Sequence, residues 1–142
     1  MSHPTIPHPP TALIAVVIAA LASGTATPQD TDTAAQTVAQ VMTTMTVPAS
    51  DAIFAAASEP PKDAAQWVAL RASAGTLAES GRLLLKTGPS KDDTEWIEMA
   101  RALVSEAEVT LKAIDAKDPE RLAQAGDDMY LTCKACHDRF DP

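Results

Sequence analysis

The sequence predicts an all-α domain, an antiparallel bundle of four helices. Three observations carry that expectation. Alanine, leucine and valine dominate while aromatic residues make up only 4% of the chain, and strand-forming residues never gather into alternating runs bounded by turns. Apolar residues recur on a 3.6-residue period in four successive stretches, and each stretch is closed by proline or glycine. A length of 142 residues suits one such domain with a modest core.

The first helix is expected from about Asp32, a plausible N-cap, to Ser58. Ala34, Val38, Val41, Met42 and Met45 form its apolar stripe. Pro48 should kink or restart it, because proline cannot donate to the carbonyl of Thr44 and its ring crowds that turn. The helix then continues through Ile53 and Phe54 to the breaker "EPPK". A second helix opens near Asp63 and turns Trp67, Leu70, Ala74, Leu77 and Leu84 inward. Gly75 and Gly81 weaken it and Gly88-Pro89 ends it. The third starts among Ser90, Asp92 and Asp93, with Trp96, Met99, Ala100, Leu103, Ala107, Leu111 and Ile114 as its stripe. In the fourth, Asp118 is the cap and Pro119 the first helical residue, followed by a stripe of Leu122, Ala125, Met129, Cys133, Cys136 and Phe140. This phase sets both cysteines on the buried face of the last helix. Short loops between amphipathic helices imply antiparallel neighbours.

The first thirty residues differ in kind. "TALIAVVIAALASG", residues 11 to 24, is uncharged and apolar, then gives way to small residues with Ala26 placed for cleavage. Residues 1–26 are therefore expected to be a signal peptide, 27–31 a flexible lead-in and 32–142 the bundle domain, exported to the periplasm. "MSHPTIPHPP" carries no Lys or Arg, a departure from the usual signal. The alternative is an uncleaved anchor, although the apolar run is shorter than the roughly 20 residues a spanning helix needs. No stable membrane insertion is expected after cleavage.

Every charged side chain lies after residue 29, so the exported domain would keep the formal net charge of −8. Such acidity disfavours nucleic acid and suits a protein partner with a basic docking patch, although it is also a common route to solubility. Once His3 and His8 leave, His137 is the one histidine remaining.

That histidine ends the most informative stretch, "LTCKACHDRF", residues 131 to 140, which holds both cysteines of the chain. Cys133, Cys136 and His137 form Cys-x-x-Cys-His, the attachment sequence for haem c. Two thiols one helical turn apart can each add to a haem vinyl group, and the next residue presents an imidazole to the iron. Zinc would need a fourth ligand that the exported chain lacks among Cys and His. A thioredoxin-like pair belongs at a helix N-terminus rather than in the last turns of a helix. A disulfide across so small a loop would stabilise little. One covalent haem is the expected cofactor, with a haem-free periplasmic thiol protein as the alternative.

"CKACHDRF" at the end of the last of four helices resembles the class II cytochromes c, which comprise cytochrome c′ and its low-spin relatives. "VMTTMTVPASDAIF", residues 41 to 54, is also similar to a stretch of small exported cytochromes in which Met stands six residues before Pro-Ala-x-Asp. The resemblance implies two alternatives. In the low-spin relatives a Met from the first helix binds iron opposite the histidine and the protein carries single electrons. In cytochrome c′ the distal side has no protein ligand, and the iron binds NO or CO. With no second histidine left, the thioethers of Met42, Met45, Met99 and Met129 are the candidates. Met129 shares a helix with His137, and Met99 fits an ordinary core position. The position matching the family's ligand is Met42, with Met45 the second choice; the alternative for both is plain packing against the haem.

Trp67, Trp96, Met129 and Phe140 are candidates to pack on the haem, and core packing is the alternative for the tryptophans. Phe140 is expected to close the side nearest His137. Arg139 is expected to be solvated, with Asp138 or a haem propionate as alternative partners, and Lys134 to face solvent. No nucleophile-base constellation marks an enzyme. The family resemblance also implies a possible homodimer through the first two helices.

Overall fold

A computed structural model describes residues 36–88 and 93–140, all within the unit formed by residues 32–142. The expected signal peptide, its cleavage site and the lead-in lie outside the described residues. So do Asp32, Ala34, Pro89, Ser90 and Asp92. Among the described residues the structure is helical throughout, without strands. No described helix is long and apolar enough to cross a membrane.

Thr37, extended at φ −70° and ψ 158°, opens the first helix. Its hydroxyl accepts from the Gln40 backbone N–H while the Gln40 side chain accepts from the Thr37 backbone N–H, a reciprocal capping box. The first described helix therefore starts at Val38. Helix α1 (Val38–Val41) passes into a π-turn (Met42–Thr46) and then α2 (Val47–Ser58), with right-handed helical dihedrals at both junctions. The restart expected at Pro48 thus takes a particular form. Proline falls in the first turn of α2, where a missing N–H costs least, and the ladder slips just upstream, with the Val47 N–H donating to the Met42 carbonyl. Hydroxyls of Thr43 and Thr44 donate to the carbonyls of Ala39 and Gln40 at 2.8 and 2.7 Å, supporting the ladder as it widens.

Helix α3 (Ala64–Thr87) is capped by Asp63, whose carboxylate accepts from the Gln66 N–H at 2.8 Å. Asp93 does the same for α4 (Thr94–Asp115), accepting from the Trp96 N–H at 3.0 Å. Asp118 accepts from the N–H groups of Glu120 and Arg121 ahead of α5 (Pro119–Phe140). The α4–α5 corner has no glycine. Lys117 takes the left-handed conformation there, φ 50°, and its N–H and that of Asp118 close back on the carbonyls of Ile114 and Ala113. This is a Schellman end with lysine where glycine is usual.

The helices pack in a closed ring of neighbours: α2 against α3 and α5, and α4 against α3 and α5. Ile53, Leu77, Leu122 and Met129 are fully buried at its centre. Each such side chain contributes about 1.5–3 kcal/mol relative to exposure. Close approach depends on small residues. A methyl group on Gly126 would sit 2.6 Å from the Ala57 Cβ, and one on Gly81 would sit 2.7 Å from the Val104 Cγ2.

Candidate functional site

Burial along α5 is uneven, and the unevenness makes the site. Leu122, Ala125, Gly126 and Met129 are buried, whereas Cys133, Cys136 and Phe140 are only half-buried and His137 is exposed. The apolar phase read from the sequence is kept, but its last turns face a cleft instead of a filled core. Both cysteines lie on the inward phase of the last helix but are only half-buried there.

The cleft is small, with an enclosed space of about 30 Å³ in a concavity partly open to solvent. Thr132, Cys133, Cys136 and His137 form its α5 wall. Helices α3 and α4 contribute Leu84, Trp96, Met99, Ala100 and Leu103, and the π-turn contributes Met42 and Thr46. Two thiols and an imidazole thus face a largely apolar enclosure that also holds two thioethers. Among the described residues, no Asp, Glu, Lys or Arg lines it. Cofactor sites commonly have apolar walls with few polar groups, and the lining of this cleft is of that kind.

The local chemistry bears on each alternative for the cysteines. Both are free thiols. Burial pushes the Cys133 thiol above its ordinary pKa, with the charge of Cys136 adding to the effect, and burial raises Cys136 as well. Their place near the carbonyl end of α5 gives no help from a helix N-terminus. Both shifts disfavour the thiolate, the reverse of what a reactive redox pair needs. Among the described residues, no three His, Cys, Asp or Glu side chains gather as a metal-ion site. A covalently held haem makes different demands: two thiols and a histidine on one helical face, with an apolar enclosure opposite. The residues of the cleft meet them.

The other sequence candidates divide between cleft and core. Met42 lines the cleft; Met45, three residues on and half-buried, does not. Met99, read from the sequence as an ordinary core residue, lines it from α4. Trp67 and Met129 are buried in the core and are not part of the cleft wall. Trp96 is part of it, held on three sides. Its indole N–H donates to the Leu84 carbonyl at 2.8 Å, in the last turn of α3, where carbonyls lack helical partners. Phe140 packs edge-on against its ring, with centroids 5.3 Å apart. Gly88 lies against its other side, where a Cβ would fall 2.1 Å from Nε1. Phe140 therefore supports the wall through Trp96 and is not itself among the lining residues.

Arg139 is exposed, and its ion-pair partner is Glu95, not Asp138. Its Nε contacts Glu95 on α4 at 2.5 Å, and its guanidinium lies over the Phe140 ring, 5.2 Å from the centroid. Asp138 is taken by Lys134, which is exposed. Both pairs are surface ion pairs worth at most about 1 kcal/mol each.

Gly88 ends α3 with φ −60° and ψ 167°, not in the left-handed form usual for a glycine at a helix end. Its role is to make room for Trp96. Gly88→Ala should displace the indole, break its hydrogen bond to Leu84 and cost about 1–3 kcal/mol, measurable by denaturant titration with tryptophan fluorescence as the probe. The chain matches no protein-family profile, no curated protein and no solved structure.

Proposed function

We propose that this chain is an exported monohaem c-type cytochrome that carries single electrons, built as an antiparallel four-helix bundle of the class II kind. The observation that carries the reading is the cleft itself. Cys133, Cys136 and His137 form one wall, and the thioethers of Met42 and Met99 stand on other helices around the same apolar space. The antiparallel arrangement is supported by short connections, residues 59–63, 88–93 and 116–118, between helices that pack on their chain neighbours.

In this reading Cys133 and Cys136 hold the haem through thioether bonds, His137 is the proximal iron ligand and Met42 the distal one. The haem supplies a one-electron iron couple, whose potential a Met ligand raises. Leu84, Leu103 and Ala100 exclude water from the cleft. Trp96 fixes the wall, and the exposure of His137 leaves a path to a redox partner with a basic docking patch, attracted by the formal charge of −8.

The test is the holoprotein made with a cytochrome c maturation system. One covalent haem per chain and a low-spin spectrum in both oxidation states, with no CO uptake on reduction, is the expected result. A high-spin ferric protein that binds CO would replace electron transfer with gas binding. Absence of covalent haem would remove both.

A further inference from the structure

We infer that Pro48 is a positioning residue for the distal ligand, acting through the π-turn; the inference rests on the reading of the cleft as a haem site with Met42 as ligand. Val41 and Thr46 are both buried, five residues apart. Inward residues of a regular α-helix recur three or four apart. The five-residue interval is the mark of one extra residue in the turn, and it changes the phase of everything upstream relative to α2, whose inward side is fixed by Ala49, Ser50 and Ile53. With that extra residue, Val41 enters the core and Met42 and Thr46 reach the cleft while Met45 stays out of it.

Pro48 is what maintains the extra residue. A regular helix would need an N–H at position 48 to donate to the Thr44 carbonyl, and proline has none. The Val47 N–H instead reaches back to Met42, and the Thr46 hydroxyl makes a long contact of 3.4 Å with the Val41 carbonyl. With alanine at 48 the missing donor returns, and ordinary α-helical bonding can run through the turn. Chain upstream then rotates by about 100°, the angle of one residue. Met42 moves to the core place that Val41 holds, and Thr43 takes its place at the cleft. Thr43 offers no thioether.

The experiment compares the holoproteins of the wild type, Pro48→Ala, and Pro48→Ala with Thr44 deleted. Deletion removes one residue from the turn, so Val41 and Met42 return to their original phase on an ordinary α-helix. Haem stoichiometry and circular dichroism check that each protein is loaded and folded. Pro48→Ala should lose most of the sulfur-to-iron charge-transfer absorption and show a lower reduction potential, and the deletion should restore both. Nuclear Overhauser contacts of the Met42 methyl with Leu103 and Ala100 should follow the same loss and recovery, reporting the side chain independently of the iron. A Pro48→Ala protein with unchanged ligation, or a deletion that restores nothing, overturns the inference while leaving the electron-transfer reading intact. A wild type without thioether ligation overturns both.

Discussion

Replacing His137 with alanine should eliminate the low-spin spectrum of the holoprotein almost completely, and added imidazole should restore a large part of it. No histidine other than His137 occurs after residue 8, so the chain has no substitute for the lost ligand. Cys133 stands one helical turn earlier on the same face and Cys136 beside it, so attachment through the thiols remains open to the variant. Rescue is expected because His137 is exposed and lines the cleft, so a small imidazole can reach the space left by the truncated side chain. Visible spectra with and without imidazole decide the matter. A variant that keeps its low-spin spectrum unaided would mean that His137 is not the proximal ligand.

Much of this fold is legible in the sequence because the signals are local. Asp118 caps the helix it was expected to cap, Asp63 and Asp93 cap helices expected to begin near them, and Pro119 stands first in α5, since each relation involves groups within three residues of one another. The inward stripes of α3 and α4 follow the helical period for the same reason. Three features depend on more distant or competing effects. Thr37 caps its helix through a reciprocal partner, Gln40, and this Thr-x-x-Gln spacing carries no signal in apolar periodicity. The Lys117 corner lacks its usual glycine, so nothing in composition announced a Schellman end. The π-turn could not be found from Pro48 alone, because proline is equally compatible with a kink, and the five-residue interval appears only once burial is known.

The site divides in the same way. Cys133, Cys136 and His137 are contiguous and were evident as a motif, whereas Met99 and Gly88 acquire meaning only through tertiary packing. Helical periodicity assigns Met99 to the inward side of α4 but cannot tell a filled core from a cleft. That distinction depends on where α5 emerges from its neighbours beyond Met129. Gly88 was read as a helix terminator, and the contact that requires it comes from Trp96 across the α3–α4 corner.

Met42→Ala should convert the iron from low to high spin, lower the reduction potential and open the reduced protein to CO, because Met42 is a thioether at the cleft on the rod that packs on α3 and α5. Met45→Ala should leave the spectrum unchanged, since Met45 is not part of the wall. Met99→Ala is the more searching control. Both Met42 and Met99 are half-buried and line the same space, so truncating either forfeits some packing, about 1–2 kcal/mol for a partly buried methionine. Only loss of the iron ligand changes spin state. Met99 shares α4 with Trp96, whose indole is fixed by Leu84 and Phe140, so that wall is suited to enclosing a cofactor. Met42 sits where the ladder has been widened and its carbonyl accepts an out-of-register N–H, an arrangement that brings Met42 to the cleft as it seats Val41 in the core. A spin-state change in Met99→Ala with none in Met42→Ala would move the ligand to α4 and leave the π-turn without that purpose.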